Sequence, residues 1–229
     1  MISLFSTSDS TLHLDDGPVH ARSIADEGAR LAAALAGRGV GQGDRVAVWA
    51  ANSRAYLQTI AALAIGGQVL VSINTRFGHD EAWSIIERAG ARLLISDRAT
   101  DSAIDGVAVL PTGDLPGLIA SSPEPVEDKA GPDSPFLVFT TSGTTSRPKL
   151  VLHTQRSITN HASDIPSRFG FDRTSKIMVA LPLCGAFGFA GLIGGLAASA
   201  DIWLPAHFDA DEAARLVEAQ QITAMNGSD

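Results

Sequence analysis

A run of hydroxyl-bearing and small residues begins at Thr141 and leads to a lysine. Residues 141–145 read Thr-Ser-Gly-Thr-Thr, and Pro148-Lys149 follow shortly afterwards. Small residues let several backbone N–H groups converge on an anion, and hydroxyl groups add further donors. A lysine contributes a mobile point charge for phosphate oxygens. This spacing predicts a loop that binds a polyphosphate.

The lysine also lies where the general phosphate-loop pattern G-x-x-x-x-G-K-[ST] places it, counting from Gly143. Pro148 occupies the second glycine position, however, and Leu150 replaces the Ser or Thr that would hold magnesium. We therefore expect a phosphate loop of another type. An ordinary Ser/Thr-rich turn between two elements is the structural alternative.

The segment resembles the phosphate-binding loop of the adenylate-forming (AMP-binding) superfamily, which includes acyl-CoA synthetases, luciferases and the adenylation domains of peptide synthetases. The matching positions are Thr141, Ser142, Gly143, Thr144, Thr145, Pro148 and Lys149. Ser146 and Leu150 replace the two later glycines of the usual form. Because glycine reaches positive φ without strain and these residues do not, the backbone is expected to be shaped differently there.

A second segment, Leu181–Phe189, is similar to the superfamily's Pro-Leu-Phe-His-x-x-Gly element, which lines the acyl and adenylate pocket. Pro182, Leu183 and Gly188 match, whereas Cys184 and Gly185 stand where Phe and His are usual. The absent imidazole would enlarge the space beside the carboxylate. The hypothesis is a pocket for a bulky or aromatic acyl chain, and its expected residues are Cys184, Gly185, Phe187 and Gly188.

The resemblance implies an ATP-dependent, AMP-forming carboxylate ligase that activates a fatty or aromatic acid. The acid and ATP would give acyl-adenylate and pyrophosphate, and a thiol, commonly that of coenzyme A, would then attack. Lys149 is the implied catalytic residue. The implied phosphate-binding residues are Thr141, Ser142, Gly143, Thr144, Thr145, Ser146 and Lys149. Magnesium would take part, with its main ligand outside this chain. Such catalysis rests on positioning and charge neutralisation.

The superfamily's downstream elements have no counterpart before Asp229, among them the ribose-binding aspartate and the catalytic lysine of the small C-terminal domain. We therefore expect the N-terminal part of a longer enzyme, inactive without the missing C-terminal part. Two alternatives stay open. One is a non-catalytic α/β module that binds a nucleotide or anion, and the other is a truncated remnant.

Composition restricts the other function classes. The chain has 229 residues, 45% of them hydrophobic, and a net charge of 17 − 25 = −8. An acidic chain without a basic stripe is a poor candidate for binding nucleic acid. The single cysteine, Cys184, excludes an intramolecular disulfide, suits a reducing cytoplasm and is expected to be buried and inert. Met1–Ser6 does not start a signal peptide, so a cytoplasmic location is expected.

The 24 residues from Ile177 to Ala200 carry no charge and are long enough to cross a bilayer. Pro182 and Gly185 interrupt them, so they are predicted to form a strand over 177–183 and a buried helix over 187–199 rather than a membrane span.

Helices and strands are predicted to alternate along the chain, which indicates mostly parallel, doubly wound α/β sheets flanked by helices. The predicted helices are 22–38, 53–65, 81–88, 155–168, 187–199 and 210–220, and the predicted strands are 45–50, 69–73, 92–96, 136–139, 150–153, 177–183, 202–204 and 222–226. Residues 121–135 contain four prolines and are predicted to link a first subdomain, 1–120, to a second, 136–229, that carries the phosphate loop.

Three further side chains are assigned structural roles. His153 is expected to cap the helix that follows it or to face solvent, because no companion ligands accompany it. Trp49 and Trp83 are expected to pack against the sheet.

Overall fold

The computed structural model describes residues 1–98, 105–122, 124–141 and 148–227. Its strands are β1 Thr11–Leu14, β2 Gly17–His20, β3 Arg45–Trp49, β4 Val69–Ser72, β5 Ala91–Ser96, β6 Ala108–Pro111, β7 Pro135–Thr141, β8 Lys149–Thr154, β9 Lys176–Val179, β10 Asp201–Trp203 and β11 Ala224–Asn226. Its helices are α1 Ile2–Ser6, α2 Ala21–Gly37, α3 Arg54–Gly66, α4 His79–Ala89, α5 Leu115–Ser121, α6 Gln155–Phe169, α7 Ala186–Ala198 and α8 Ala210–Gln220, with a 3-10 turn at Thr112–Asp114 before α5.

The first sheet has six strands in the order β6-β5-β3-β4-β7-β8. Its neighbouring strands are parallel except for β7 and β8, which are antiparallel. β3 and β4 are almost completely buried, as expected for parallel strands covered on both faces. Helices α2 and α3 pack on one face of this sheet and α4 packs on the other. The arrangement is doubly wound.

The second sheet has five strands in the order β11-β9-β10-β1-β2, with only the β1–β2 pair antiparallel. One apolar core joins it to the first sheet through helices α1, α2, α3, α6 and α7. Helix α8 packs on its outer face, where Ala213 contacts a cluster that includes Met178 and Trp203. Two mainly parallel sheets flanked by helices confirm the predicted fold class.

Helix boundaries follow local signals in the sequence. The Ser53 hydroxyl accepts a hydrogen bond from the Tyr56 N–H (3.3 Å) at the start of α3, and Gly67, with φ +70°, ends the helix. At the start of α8, the Asp209 carboxylate accepts from the Glu212 N–H (2.8 Å). These predicted helix starts are confirmed.

The strand predicted over 177–183 is wrong at its end, because β9 stops at Val179. The Asn226 side-chain oxygen accepts hydrogen bonds from the N–H groups of Ala180 (2.8 Å) and Leu181 (3.4 Å), in place of a neighbouring strand. Elements not predicted from the sequence are α1, β1, β2, β6 and α5.

The division of the chain into two subdomains, 1–120 and 136–229, stays a prediction. Both sheets, however, contain strands from either side of the segment 121–135, since β7 and β8 complete the first sheet and β1 and β2 belong to the second. The segment itself lies against the helices, where the Lys129 N–H donates to the Ile65 carbonyl (2.9 Å).

The uncharged stretch 177–200 forms β9, a turn and α7. Across the described ranges, every helix falls short of the length and apolar character that crossing a bilayer requires.

Helices α2 and α3 approach each other closely at Gly28. A Cβ atom at this position would lie 2.5 Å from the Ala61 Cβ and 3.0 Å from the Ala62 backbone nitrogen. We predict that Gly28→Ala lowers the free energy of unfolding by about 1–2 kcal/mol, because overpacking exceeds the gain of about 0.5–1 kcal/mol from replacing a helical glycine. Urea denaturation at equilibrium measures the difference.

Gly37→Ala in the same helix is the matched control, because no atom lies within 4 Å of the added Cβ. This variant is expected to be as stable as the original or slightly more stable. Equal stability of the two variants would contradict the close helix contact.

Candidate active site

The β7–β8 hairpin positions both described ends of the predicted phosphate loop. Thr141, the last residue of β7, pairs directly with Lys149, the first residue of β8. Both side chains are exposed. Thr141 lies at the carboxyl end of the parallel strands, where open α/β sheets bind their ligands. The predicted loop residues Ser142, Gly143, Thr144, Thr145 and Ser146 lie outside the described residues.

Helix α4 holds the chain just before Lys149. The guanidinium of Arg88 donates a hydrogen bond to the Pro148 carbonyl oxygen (3.0 Å). Together with the pairing of β8 to β7, this contact places the lysine backbone on the sheet and leaves its ammonium group free to reach solvent.

The Leu181–Phe189 segment makes a turn into α7. The Gly185 N–H donates to the Pro182 carbonyl (3.0 Å), and α7 begins at the next residue. Gly188 lies so close to this turn that a Cβ atom would be 2.2 Å from the Pro182 oxygen and 2.6 Å from the Leu181 oxygen. The position therefore requires glycine. Of the other predicted pocket residues, Cys184 is buried, whereas Gly185 and Phe187 are exposed.

The two segments meet through an aromatic contact. The ring of Phe139 on β7 lies 5.8 Å from the ring of Phe189 on α7, at an angle of 77°. A cavity of about 310 Å³ opens beside this pair, and its lining residues are Phe139, His153, Ser157, Ile158, His161, Ala186, Phe189, Ala190 and Ile193. The fold thus brings the end of β7 and the start of α7 to one place.

The buried side chain of Asn52 connects the first sheet to the second. Its oxygen accepts from the Leu183 N–H (2.8 Å), and its nitrogen lies within hydrogen-bond distance of the carbonyl oxygens of Leu181 (3.5 Å) and Pro205 (3.3 Å). Asn52 follows β3, while its partners follow β9 and β10. The carboxyl ends of the two sheets therefore face each other.

A crevice of about 860 Å³ lies between these carboxyl ends. The first sheet contributes Arg76, Asp97 and Arg98 among its polar groups, and the second contributes Asn226. Arg98 lies over the Trp49 ring, 4.6 Å from its centre, and donates to the Thr75 carbonyl (2.5 Å). Leu181 and Pro182 also line this crevice, so it adjoins the turn before α7.

Cys184 lies on the inner side of the turn. Burial raises the pKa of its thiol, and hydrogen bonding with Thr75 opposes this only in part. Burial also raises the pKa of Tyr56, whose hydroxyl lies 3.3 Å from the Ser72 hydroxyl. A raised thiol pKa lowers the thiolate fraction at neutral pH. The predicted burial of Cys184 is confirmed, and its neutral thiol supports an inert role.

Of the two expected roles of His153, the helix cap is wrong. Helix α6 is capped by Thr154, whose hydroxyl accepts from the Ser157 N–H (3.2 Å), and not by His153. The half-buried His153 ring instead contacts Phe139 edge-on, with 5.7 Å between ring centres. The expected packing of Trp49 and Trp83 against the sheet is confirmed, because both belong to or contact the apolar cluster between α4 and the first sheet.

Sequence reasoning missed the connecting roles of Asn52 and Asn226. Asn52 directly precedes Ser53, whose hydroxyl caps α3, so its place in the sequence indicates only the start of a helix. Nothing local in the sequence indicates these contacts, because the partners lie 129 to 153 positions away for Asn52 and 39 to 46 positions away for Asn226.

The described residues do not form a metal site of their own. They contain no group of three or more His, Cys, Asp or Glu side chains that could hold a metal ion.

Comparison with known proteins agrees with this geometry. The model of the family "AMP-binding enzyme" matches residues 21–228. A feruloyl-CoA synthase from Amycolatopsis is 32% identical over 206 residues, which cover 87% of this chain and 41% of that protein. A 4-chlorobenzoate–CoA ligase from Arthrobacter is 31% identical over 210 residues, covering 86% of this chain and 40% of that protein. This chain thus spans about two fifths of the length of these curated relatives.

Among solved structures, the N-terminal subdomain of Klebsiella oxytoca NpsA in complex with 3-hydroxyanthranilyl-AMSN superposes with a TM-score of 0.83 at 26% identity. The match covers 98% of this chain and 57% of that one. With the family model matching most of its residues, the chain belongs to the adenylate-forming AMP-binding enzymes, where it corresponds to the N-terminal portion of acyl-CoA synthetase-like members.

Proposed function

We propose that this chain supplies the phosphate-binding and acid-binding part of an ATP-dependent, AMP-forming acid–thiol ligase. The observation that carries the proposal is the meeting of two motifs. Lys149 lies opposite Thr141 at the carboxyl end of the first sheet, and Phe139 of the same hairpin contacts Phe189 at the start of α7. A nucleotide tail and an acid held at these two places would be neighbours.

In the proposed first step, a carboxylate oxygen of the acid attacks the α-phosphorus of ATP. The new P–O bond forms as the bond to pyrophosphate breaks, and acyl-adenylate remains. Lys149 would neutralise charge on the β- and γ-phosphates, and Thr141 would add a hydroxyl donor. A positive group aimed at the departing pyrophosphate stabilises the transition state more than the ground state, because negative charge accumulates there.

In the proposed second step, the sulfur of a thiol attacks the acyl carbonyl carbon and AMP leaves. Relatives named as CoA synthases and CoA ligases support coenzyme A as the thiol. Cys184 is a poor candidate for an alternative acceptor, because it is buried and its pKa is raised. Residues outside the described ones would bind the thiol and make the remaining contacts to the nucleotide.

The proposal also includes the predicted enlargement of the space beside the carboxylate of the acid, where Gly185 replaces the usual His. Gly185 is exposed, and a Cβ atom there would meet only the Pro182 oxygen, at 3.6 Å, which is ordinary contact. The position thus has room for a side chain that this chain lacks. We propose that the open space admits a bulky acyl group.

Replacing Lys149 tests the phosphate-binding role. Lys149→Ala in the intact protein is expected to lower acid-dependent ATP–pyrophosphate exchange about 100-fold or more, as for other losses of a group that stabilises transition-state charge. Because the side chain is exposed, the melting temperature should stay nearly unchanged. Lys129→Ala, which removes an exposed lysine from the 121–135 segment, is the control and should retain full exchange. Full exchange by Lys149→Ala would refute the assigned role.

Adding an imidazole at the turn tests the acid site. Gly185→His is expected to lower kcat/KM for bulky acids relative to small ones by about tenfold, the scale on which pocket size discriminates substrates. Gly185→Ala controls for the added Cβ alone and should change the ratio much less. Unchanged selectivity in the histidine variant would show that residue 185 does not face the acid.

The 229-residue chain by itself is expected to show little or no exchange. A normal rate from this polypeptide would refute its proposed dependence on further residues. Absence of acid-dependent exchange in the intact protein as well would instead favour the non-catalytic binding module, because a simple binder cannot perform this exchange.

A further inference from the structure

A third cavity lies between helices α2, α3 and α5 and the turn that joins β1 to β2. Its volume is about 650 Å³, which falls within the roughly 300–1,000 Å³ of typical ligand pockets. Its described lining includes no residue of the phosphate loop or of the Leu181–Phe189 segment. The cavity is therefore separate from the candidate active site, although Asn52 lines both this cavity and the crevice between the sheets.

Acidic side chains determine the charge of this cavity. Its lining includes the carboxylates of Asp15, Asp16, Glu27 and Asp97 and one basic group, the guanidinium of Arg54. The guanidinium is already paired with Glu27, to which its Nε donates a hydrogen bond (3.2 Å). Four carboxylates against one guanidinium give the described lining a formal charge of −3, which favours a positively charged ligand.

A buried amide adds a hydrogen-bond acceptor to the wall of the cavity. Gln58 on α3 lines the cavity although only 5% of the residue is exposed. Its amide nitrogen donates to the Glu27 carboxylate (2.8 Å), which fixes the orientation of the amide. Its oxygen accepts no hydrogen bond from another described residue. Because buried polar atoms are almost always paired, a ligand with N–H donors would complete this site.

The four carboxylates come from three separate parts of the fold, namely the β1–β2 turn, α2 and the end of β5. Within the described ranges, acidic and metal-ligating side chains do not gather in groups of three or more that could hold a metal ion. Positive charges that are spaced along a ligand would therefore pair with these carboxylates better than one metal ion. Much of the remaining lining is apolar and could pack against methylene groups; it includes Leu14, Ala55, Pro116, Ile119 and Ala120.

We infer that this cavity binds an aliphatic polyamine. Ammonium groups of the ligand pair with the separated carboxylates, one ammonium donates to the Gln58 oxygen, and the methylene chain lies against the apolar lining. The inference concerns a second binding site and does not depend on the proposed ligase chemistry.

Isothermal titration calorimetry of the intact protein at low ionic strength tests the inference, with spermidine as the probe. Butylamine, which has a single ammonium group, and magnesium chloride are the comparison ligands. We expect spermidine to bind about tenfold more tightly than butylamine or better, because two or more ion pairs would form together. Magnesium at the same concentration as spermidine should weaken spermidine binding less than about twofold, since the carboxylates do not form a metal site.

Two carboxylate variants of equal charge test the location. Asp16→Asn removes an exposed carboxylate of the cavity and should weaken spermidine binding about two- to fivefold, the scale of an exposed ion pair. Asp26→Asn is the matched control, because it removes the same charge from an exposed position of α2 that does not line the cavity. This control should bind spermidine as the original does.

A third variant tests the cavity from another element. Ala120→Arg introduces a guanidinium at an exposed position of α5 and should weaken spermidine binding about tenfold or more, because like charges would be placed together. All three positions are exposed, so the melting temperatures should remain nearly unchanged.

Equal weakening by Asp16→Asn and Asp26→Asn would show that spermidine responds only to the overall negative charge of the chain, and would overturn the inference. Binding of spermidine no tighter than that of butylamine, full competition by magnesium, or unchanged binding by Ala120→Arg would overturn it as well.

Discussion

The side chain of Asn52 is the interaction on which the geometry of the candidate site depends. It is buried between the two sheets, and both of its polar atoms are paired with backbone groups of the second sheet's loops. A buried polar group that loses its partners costs about 1–3 kcal/mol, so this pairing favours one relative position of the sheets. The crevice at the carboxyl ends and the turn at Pro182 keep their positions because of it.

Close backbone contacts complete this arrangement. Gly28 lets α2 approach α3, and Gly188 lets the first turn of α7 rest on the carbonyl oxygens of the Pro182 turn. A further glycine of α7, Gly194, lies against Ile165 of α6. These contacts hold α6 and α7 near each other, and the cavity beside Phe189 is the space that remains between them. The shape of that cavity therefore follows from backbone packing as much as from its lining side chains.

The sequence was sufficient to predict the α/β class, because buried strands such as β3 and β4 appear as short apolar runs between amphipathic helices. The hairpin of β1 and β2 was missed despite a signal, since Asp16-Gly17 lies between alternating apolar residues. Which sheet each strand joins was not predictable, because pairs such as β1 with β10 form between distant parts of the chain. The contact of Asn52 with Leu183 was not predictable for the same reason. Both chemical motifs, by contrast, consist of contiguous residues and were recognisable in the sequence.

The hairpin that carries Lys149 is held at the end opposite the predicted loop. There the N–H groups of Gln155 and Arg156 donate to the carbonyls of Ser134 (3.0 Å) and Pro132 (2.7 Å), and the Arg156 guanidinium makes two hydrogen bonds with Asp133. Because a slip of one residue between strands would turn every β8 side chain to the other face, these distant bonds decide which way the lysine points. Changes at the remote base of the hairpin would consequently reorient Lys149 without altering any residue of the predicted phosphate loop.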